Sequence, residues 1–288
     1  MVLVFFLFFL RLVQLQIIEG EDLKRRSERN SIHKQRVEAP RGDIYDRDNR
    51  LLATTRPAYG VQVLPSELKR RKVTLSTLAE LIGEDYSTLE ARVGNPRGRN
   101  RFKPIRIAGD LTPDQLARVS THSYGLPGVI TDVRPRRHYL YNKQGAHLFG
   151  TLGEIRADQL EARKFTGYRS GEIIGQTGLE SILEEHLRGR EGGRVVVVDV
   201  AGREVDLLEE VDPVPGGSVR LTIDLDLQRA AEEAFDEVEE GKPAKMGALV
   251  AMDPRTGDVL AMVSRPAYDP NSFAGGVDTP TWNALNGD

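Results

Sequence analysis

Two stretches of this sequence place a serine three residues ahead of a lysine, the S-x-x-K spacing in which a lysine can assist a serine nucleophile in acyl transfer. They are Ser31-Ile32-His33-Lys34 and Ser66-Glu67-Leu68-Lys69. Such a serine works only beside a buried base and donors aimed at the developing oxyanion. The first match lies in a strongly charged stretch behind an apolar run, and the second in a loop just after a strand. Both read as chance, because a four-residue pattern with two free positions is weakly selective. Arg255-Thr256-Gly257 resembles a K-T-G triad but belongs to a hairpin turn. No residue of the chain is therefore assigned a catalytic role.

Other chemistries find no better footing. There is no cysteine, so disulfides, thiol nucleophiles and thiolate metal sites are excluded. The five histidines, His33, His122, His138, His147 and His186, form no helical ligand pair and read as surface or packing residues. Asp43, Asp46 and Asp48 suggest a calcium loop, but Arg50 breaks its third position and Pro57 occupies the twelfth, where glutamate is needed. Gly175-Gln176-Thr177-Gly178-Leu179-Glu180 lacks the ending of a phosphate loop and the full dinucleotide fingerprint. It reads as a tight turn into a helix over 179–187. No metal and no cofactor is expected.

The elements that would carry these residues are mixed. With 288 residues, 39% of them hydrophobic and 29% charged, the chain suits a globular body of one to two domains. A formal net charge of -3 argues against a nucleic-acid partner. Turn-rich sequence over 39–50 leads into Leu51-Leu52-Ala53 and then a strand over 59–64. Leu75, Leu78, Leu81 and Ile82, then Leu89 and Val93, have helical spacing, and 97–101 is a basic loop. Thr112-Pro113-Asp114-Gln115 starts a helix with a threonine cap, proline at the first helical position and glutamine at the capping-box position. Leu116 and Val119 share its buried face. Residues 195–200 form a β-branched strand, Gly202 a hairpin turn before a strand over 204–208, and 212–217 a boundary loop. A strand over 219–223 follows. Next comes a helix capped by Asp224, with a buried stripe of Leu227, Ala231, Phe235 and Val238, ended by Gly241. Strands over 248–252 and 259–263 then make a hairpin.

The N-terminus has another character. Residues 2–10 are unbroken apolar sequence with four phenylalanines, and Leu12, Val13, Leu15, Ile17 and Ile18 continue it past Arg11. A spanning helix needs about 20 mostly apolar residues, so this run reads as a membrane anchor cut short at its front. A secretory signal is one alternative, against which stand the missing basic n-region and the missing A-x-A-like site; a buried helix is another. Residues 19–36 read as a charged helical continuation. Lys24, Arg25, Arg26, Arg29, Lys34, Arg36 and Arg41 would be cytoplasmic by the positive-inside rule. The resemblance below implies the opposite side, and a basic tail ahead of Met1 would reconcile the two.

Arg41-Gly42-Asp43-Ile44-Tyr45-Asp46-Arg47 with Leu51-Leu52-Ala53 resembles the first pedestal box of class B penicillin-binding proteins, R-G-x-I-x-D-R-N-G-x-x-L-A, with Asp48-Asn49-Arg50 where Asn-Gly is usual. Arg137-His138-Tyr139 with Ala146-His147-Leu148-Phe149-Gly150 is similar to the second box, and Gly175 to Glu180 matches the G-x-x-G-x-E box. Leu221-Thr222-Ile223-Asp224 with Leu227-Gln228 looks like the start of the family's transpeptidase domain. Residues 247–271, ending Ser264-Arg265-Pro266-Ala267-Tyr268-Asp269-Pro270-Asn271, resemble that domain's first hairpin. Each box alone is weak, but five in order span nearly the whole chain. The tail at 273–286 is similar to the elongation type (the penicillin-binding protein 2 kind) rather than the division type.

The resemblance implies an α+β chain in three parts. These are a truncated N-terminal membrane helix at 1–18, an elongated mixed α/β stalk and pedestal of the dimerisation type at 19–218, and the beginning of a penicillin-binding transpeptidase domain at 219–288. It implies a single-pass protein of the bacterial cytoplasmic (inner) membrane with its bulk on the outer, periplasmic face. The implied activity is that of a peptidoglycan D,D-transpeptidase of cell-wall elongation. Its serine would attack the penultimate D-alanine carbonyl of a stem peptide, release the terminal D-alanine and pass the acyl group to a neighbouring strand's amine. β-Lactams would acylate the same serine in the full-length protein. The nucleophile motif is expected beyond Asp288, so this chain alone would be inactive, and its last hairpin would show open edges and an apolar face. The implied partners are peptidoglycan stem peptides, a SEDS-type glycosyltransferase, an MreC-type scaffold and the membrane. The alternative is a non-catalytic envelope scaffold that docks to elongation-machinery partners. The structural residues carried over are Arg41, Gly42, Asp46, Arg47, Arg137, Gly150, Gly175, Gly178 and Glu180. Of these, Arg41, Asp46, Arg47 and Glu180 are expected to form a charged junction between stalk and pedestal, because partly buried charges need both signs.

Overall fold

The computed structural model describes residues 2–14, 16, 32–68, 70–161, 167–198, 204–239 and 246–275. Ser31, Lys69, Gly202, Gly241, residues 17–30 and the tail beyond 275 lie outside the described residues, as do the side chains of His33 and Val238. The chain forms two compact units, one of residues 1–39 with 190–214 and one of 40–189 with 215–288.

In the first unit the apolar run forms α1 (Val2–Val13). Among the described residues no helix is long and apolar enough to cross a membrane. Its strands form an antiparallel sheet in the order β1 (Ile32–Val37), β8 (Gly192–Val198), β9 (Glu204–Val211). The helix expected to run through residue 36 is thus corrected: its last part is strand. Ile32 to Val37 pair residue by residue with β8, and a ladder along a valine-rich neighbour overrides local helix preference. β8 and β9 pair antiparallel as the expected hairpin requires; its turn lies outside the described residues.

The second unit is built on a five-stranded sheet of β2 (Ile44–Tyr45), β3 (Leu51–Val63), β4 (Ile105–Leu111), β5 (Val129–Tyr139) and β10 (Val219–Arg220). Its order is β10-β2-β3-β4, with β5 along the other edge of β3. The strand expected over 59–64 is longer, running from Leu51 through Pro57 to Val63. Pro57 faces Pro135 on β5, and on its other edge it lies between the last pair with β2 at Ala53 and the first with β4 at Tyr59. That edge needs no ladder donor there, which is where a strand tolerates proline.

Helices α2 (Arg71–Ile82), α3 (Tyr86–Val93) and α4 (Pro113–Thr121) cover this sheet at one end. Leu75, Leu78, Ile82, Leu89, Val93 and Val119 pack with Val61, Val63 and Ile107 in its largest core. The capping box that opens α4 is formed, with Gln115 N–H donating to Thr112 Oγ1 at 3.2 Å and Thr112 N–H to Gln115 Oε1 at 2.8 Å.

A second core gathers Ile44, Leu52, Tyr139, Phe149, Leu187 and Leu225. It draws on α5 (Ala146–Phe149), α8 (Glu184–Leu187) and α9 (Leu225–Glu239). Between α5 and α8 the chain forms the strand pair β6 (Leu152–Glu154) and β7 (Ile173–Gly175), with α6 (Ala157–Leu160) between them, and then α7 (Gly178–Ile182).

Helix α9 packs on the hairpin of β11 (Gly247–Met252) and β12 (Val259–Arg265) through Ala231, Phe235, Leu249, Ala261 and Val263. Its expected stripe is met at Ala231 and Phe235 but not at Leu227, which is exposed while Leu225, Gln228 and Glu232 are buried. The reason is a polar contact that hydrophobic periodicity does not register. The Gln228 amide donates to Met262 O at 2.9 Å and accepts from Met262 N–H at 2.7 Å. The hairpin's other side leaves Val250, Met252 and Met262 exposed.

Candidate functional site

Glu180 on α7 and Glu184 on α8 are four residues apart and point into the same interior, 0% and 1% exposed. Two carboxylates taken out of water require cations and hydrogen bonds. Arg137, from the buried side of β5, donates Nε to Glu180 Oε1 at 2.7 Å. Arg41, just ahead of β2, donates Nε and Nη2 to Glu180 Oε2 at 3.1 and 2.7 Å, and Nη2 to Glu184 Oε2 at 2.9 Å. Tyr139 donates its hydroxyl to Glu180 Oε1 at 3.0 Å, Tyr168 to Glu184 Oε1 at 3.2 Å, and the Gly175 N–H to Glu184 Oε2 at 2.8 Å. Every carboxylate oxygen is engaged. Arg137 Nη1 donates to Gly42 O at 2.6 Å, while its Nη2 is buried without a partner among the described residues.

The electrostatics follow from this geometry. Burial works against the Arg41 charge, but Glu180 and Glu184 outweigh it and raise its pKa. Burial, then the Glu180 charge, pushes the Tyr139 phenol well above its ordinary value. Burial, then Glu184, pushes Tyr168 up to about 12. Two cations neutralise two anions, and among the described residues no serine, threonine or lysine bonds to them. The cluster ties chain segments together.

Glycines let those segments close. A Cβ on Gly175 would lie 2.1 Å from Glu180 O. Gly150 (φ +82°) and Gly178 (φ +60°) are both left-handed, and a Cβ on Gly178 would come within 2.7 Å of Gly150 N. The 175–180 turn is therefore the tight entry to a helix that its sequence suggests. Gly42 donates its N–H to Leu187 O at 2.9 Å, which brings the segment carrying Arg41 to the end of α8.

The expected junction of Arg41, Asp46, Arg47 and Glu180 is only half assembled. Arg41 and Glu180 meet; Asp46 and Arg47 stand elsewhere, and the whole cluster is internal to the second unit. Asp46, fully buried, accepts the N–H groups of Asp48 and Arg50 at 2.9 and 2.7 Å and Arg50 Nε at 2.7 Å. Burial would raise its pKa, but these bonds and the Arg50 charge outweigh burial and hold it below the ordinary carboxylate range. Asn49 sits in the left-handed region at φ 63°, so asparagine fills the place where the family box has glycine, a substitution that asparagine tolerates better than most residues. Arg47 donates its backbone N–H to Ile223 O at 2.9 Å. Asp46 closes the turn through 47–49 by accepting from Asp48 and Arg50, so adjacency in a box does not mean adjacency in space. Glu184, Tyr139, Tyr168 and Arg50 were not foreseen as members; only Glu184, one helical turn past Glu180, carried a readable signal.

The C-terminal part of this unit is tied down by similar polar contacts. The Asn271 amide accepts from Tyr139 N–H at 2.9 Å and donates to Tyr139 O at 3.0 Å. Arg265 pairs with Glu232, which also accepts the Gly145 N–H at 2.9 Å. Ser66 lies in the turn Pro65–Glu67, and no group of three His, Asp or Glu that could hold a metal occurs among the described residues.

This fold and these boxes define a penicillin-binding protein. The Penicillin-binding Protein dimerisation domain matches residues 36–221, and the penicillin binding protein transpeptidase domain matches residues 247–286, so the chain belongs to that family. Within it the chain is similar to MrdA proteins, of the elongation type. The peptidoglycan D,D-transpeptidase MrdA of Haemophilus influenzae is 32% identical over 286 residues, 97% of this chain and 42% of that protein. MrdA of Escherichia coli K12 is 33% identical over 281 residues, 96% of this chain and 43% of that protein. A solved complex between Penicillin-Binding Protein (PBP2) and MreC from Helicobacter pylori matches with a TM-score of 0.69 and 25% identity, covering 89% of this chain and 47% of that one. The chain thus spans less than half the length of the relatives it matches.

Proposed function

We propose that this chain supplies the anchor and pedestal of a peptidoglycan D,D-transpeptidase of cell-wall elongation. The observation that carries the proposal is identity to MrdA proteins along almost the whole chain. The parts divide as anchor at 1–18, stalk and pedestal at 19–218 and the start of the transpeptidase domain at 219–288, a division supported by where the two domain matches fall. The anchor crosses the inner membrane once and leaves the bulk on the periplasmic face. The apolar run that begins with α1 supports this.

The pedestal's task is geometric. It holds an acylating serine at a set distance from the membrane, where that serine meets stem peptides and β-lactams. The buried Arg41–Glu180–Glu184–Arg137 cluster suits such a task, since it locks four chain segments together. An MreC-type scaffold is a partner, supported by the Helicobacter complex; a SEDS-type glycosyltransferase is the second.

Fluorescent penicillin applied to membranes of cells that express the natural gene product tests this reading. A labelled band that disappears when the gene is deleted is expected. A product that takes no label while still restoring rod shape would replace the enzyme by a non-catalytic scaffold.

A further inference from the structure

Both outer strands of the first unit's sheet are open. Among the described residues no strand pairs with the free edge of β1 or of β9. Residues opposite one another in a ladder share a face, so the register assigns each paired side chain. Ile32, Lys34 and Arg36 lie opposite Val197, Val195 and Gly193, which in turn lie opposite Asp206, Glu209 and Val211. The other face carries Arg194, paired with Glu204 at 2.8 Å and Glu210 at 3.3 Å. On the first face, Lys34 at one edge and Asp206 and Glu209 at the other have no ion-pair partner among the described residues. One sheet therefore shows a cationic edge and an anionic edge. Each carries exposed apolar surface, Ile32 on β1 and Val205, Leu208 and Val211 on β9.

We propose that these edges join copies of this chain, β9 of one against β1 of the next, with Lys34 beside Asp206 and Glu209. Charge selects this occupant. Two β9 edges would set acids against acids and two β1 edges cations against cations, whereas unlike edges attract. β1 and β9 are each antiparallel to β8, hence parallel to one another, so a translated copy presents its β1 parallel to β9. The contact uses two different patches and extends a row rather than closing a two-fold dimer. Two bulges insert Val205 and Leu208 into β9, which twists the strand, so side chains rather than a long unbroken ladder carry the recognition. Exposed ion pairs are weak and screened by salt, and the contact fills only where copies are concentrated.

The chain contains no cysteine, so introduced thiols report cleanly. Arg36→Cys and Val211→Cys stand level across the proposed contact and leave Lys34, Asp206 and Glu209 in place. The two full chains are mixed at high density and treated with a short bismaleimide. The mixture is expected to cross-link well above either variant alone, and to lose the product in 1 M salt, where the Debye length falls to about 3 Å. Lys34→Glu in the first chain is expected to abolish the product, and Asp206→Lys with Glu209→Lys in the second to restore it. That rescue separates lost charge from lost folding. Equal cross-linking in the unmixed chains, no cross-linking at all, or a product indifferent to charge reversal would each overturn the proposal.

Discussion

Arginine–glutamate pairs occur in both units, in opposite surroundings. In the second unit the Arg137 and Glu180 side chains are both 0% exposed and 2.7 Å apart. In the first, Arg194 and Glu204 are 2.8 Å apart with 32% and 36% of their side chains in solvent. The distances are nearly the same, so geometry does not set the difference; the medium does. In the buried pair each charge has given up water and depends on its partner, so removing one strands the other. In the exposed pair water replaces whatever is lost. A buried pair is a commitment made by several segments at once, and an exposed one is a local adjustment.

The largest effect should come from Glu180→Ala, which leaves Arg137 buried without an anion and takes one of two partners from Arg41. A loss of about 3–5 kcal/mol is expected, read by urea denaturation. Glu180→Gln, which keeps the shape, should lose most of the same amount. If it unfolds at the parent's midpoint, the cluster is not held by charge and the contrast between the units collapses.

Gly175→Ala sharpens the contrast from the packing side. Its methyl would meet Glu180 O at 2.1 Å, pushing α7 from β7 while every charge of the cluster stays in place. A loss of about 1–3 kcal/mol is expected for such overpacking, with thermal melting as the measurement. A parent-like melting temperature would mean that the turn can open without disturbing the cluster.

A pH titration separates the units without changing the backbone. Tyr168 has its pKa raised from 10.0 to about 12, by burial first and then by Glu184. Between those values the folded chain keeps a proton that the unfolded chain releases. Its contribution is therefore whole below pH 10 and declines as pH rises from 10 to 12. Tyr168→Phe should remove that part of the alkaline slope in denaturation curves measured across the range. An unchanged slope would show that the phenol is not held by the cluster.

The smallest effect belongs to Arg194→Ala, expected to cost less than about 1 kcal/mol and to cost less still in high salt. Should it rival Glu180→Ala in the same denaturation assay, exposure is the wrong explanation for the difference between the two pairs.

Much of the local structure is legible in the sequence. The capping box at Thr112, the turn through 175–180, the hairpin around Asp253–Asp258 and the helices at Leu75 and Leu89 all rest on short-range rules, in which a residue answers to neighbours within four positions. The misreadings share one cause. Residues 32–37 became a strand because their partners sit more than 150 residues away on β8. The buried face of α9 takes in Gln228 and Glu232 because a backbone on β12 and the Arg265 side chain needed them.

The sequence by itself determined the family, the order of the boxes and the presence of charged residues in them, because box residues are set by local backbone demands and by chemistry that composition displays. Which charges meet was decided only by the tertiary structure. Arg41 reaches Glu180 across 139 positions, while Asp46, five residues from Arg41, turns to Arg50 instead. A carboxylate is indifferent to which cation neutralises it, and only the packing of β2, β5, α7 and α8 around one dry interior specifies the partner.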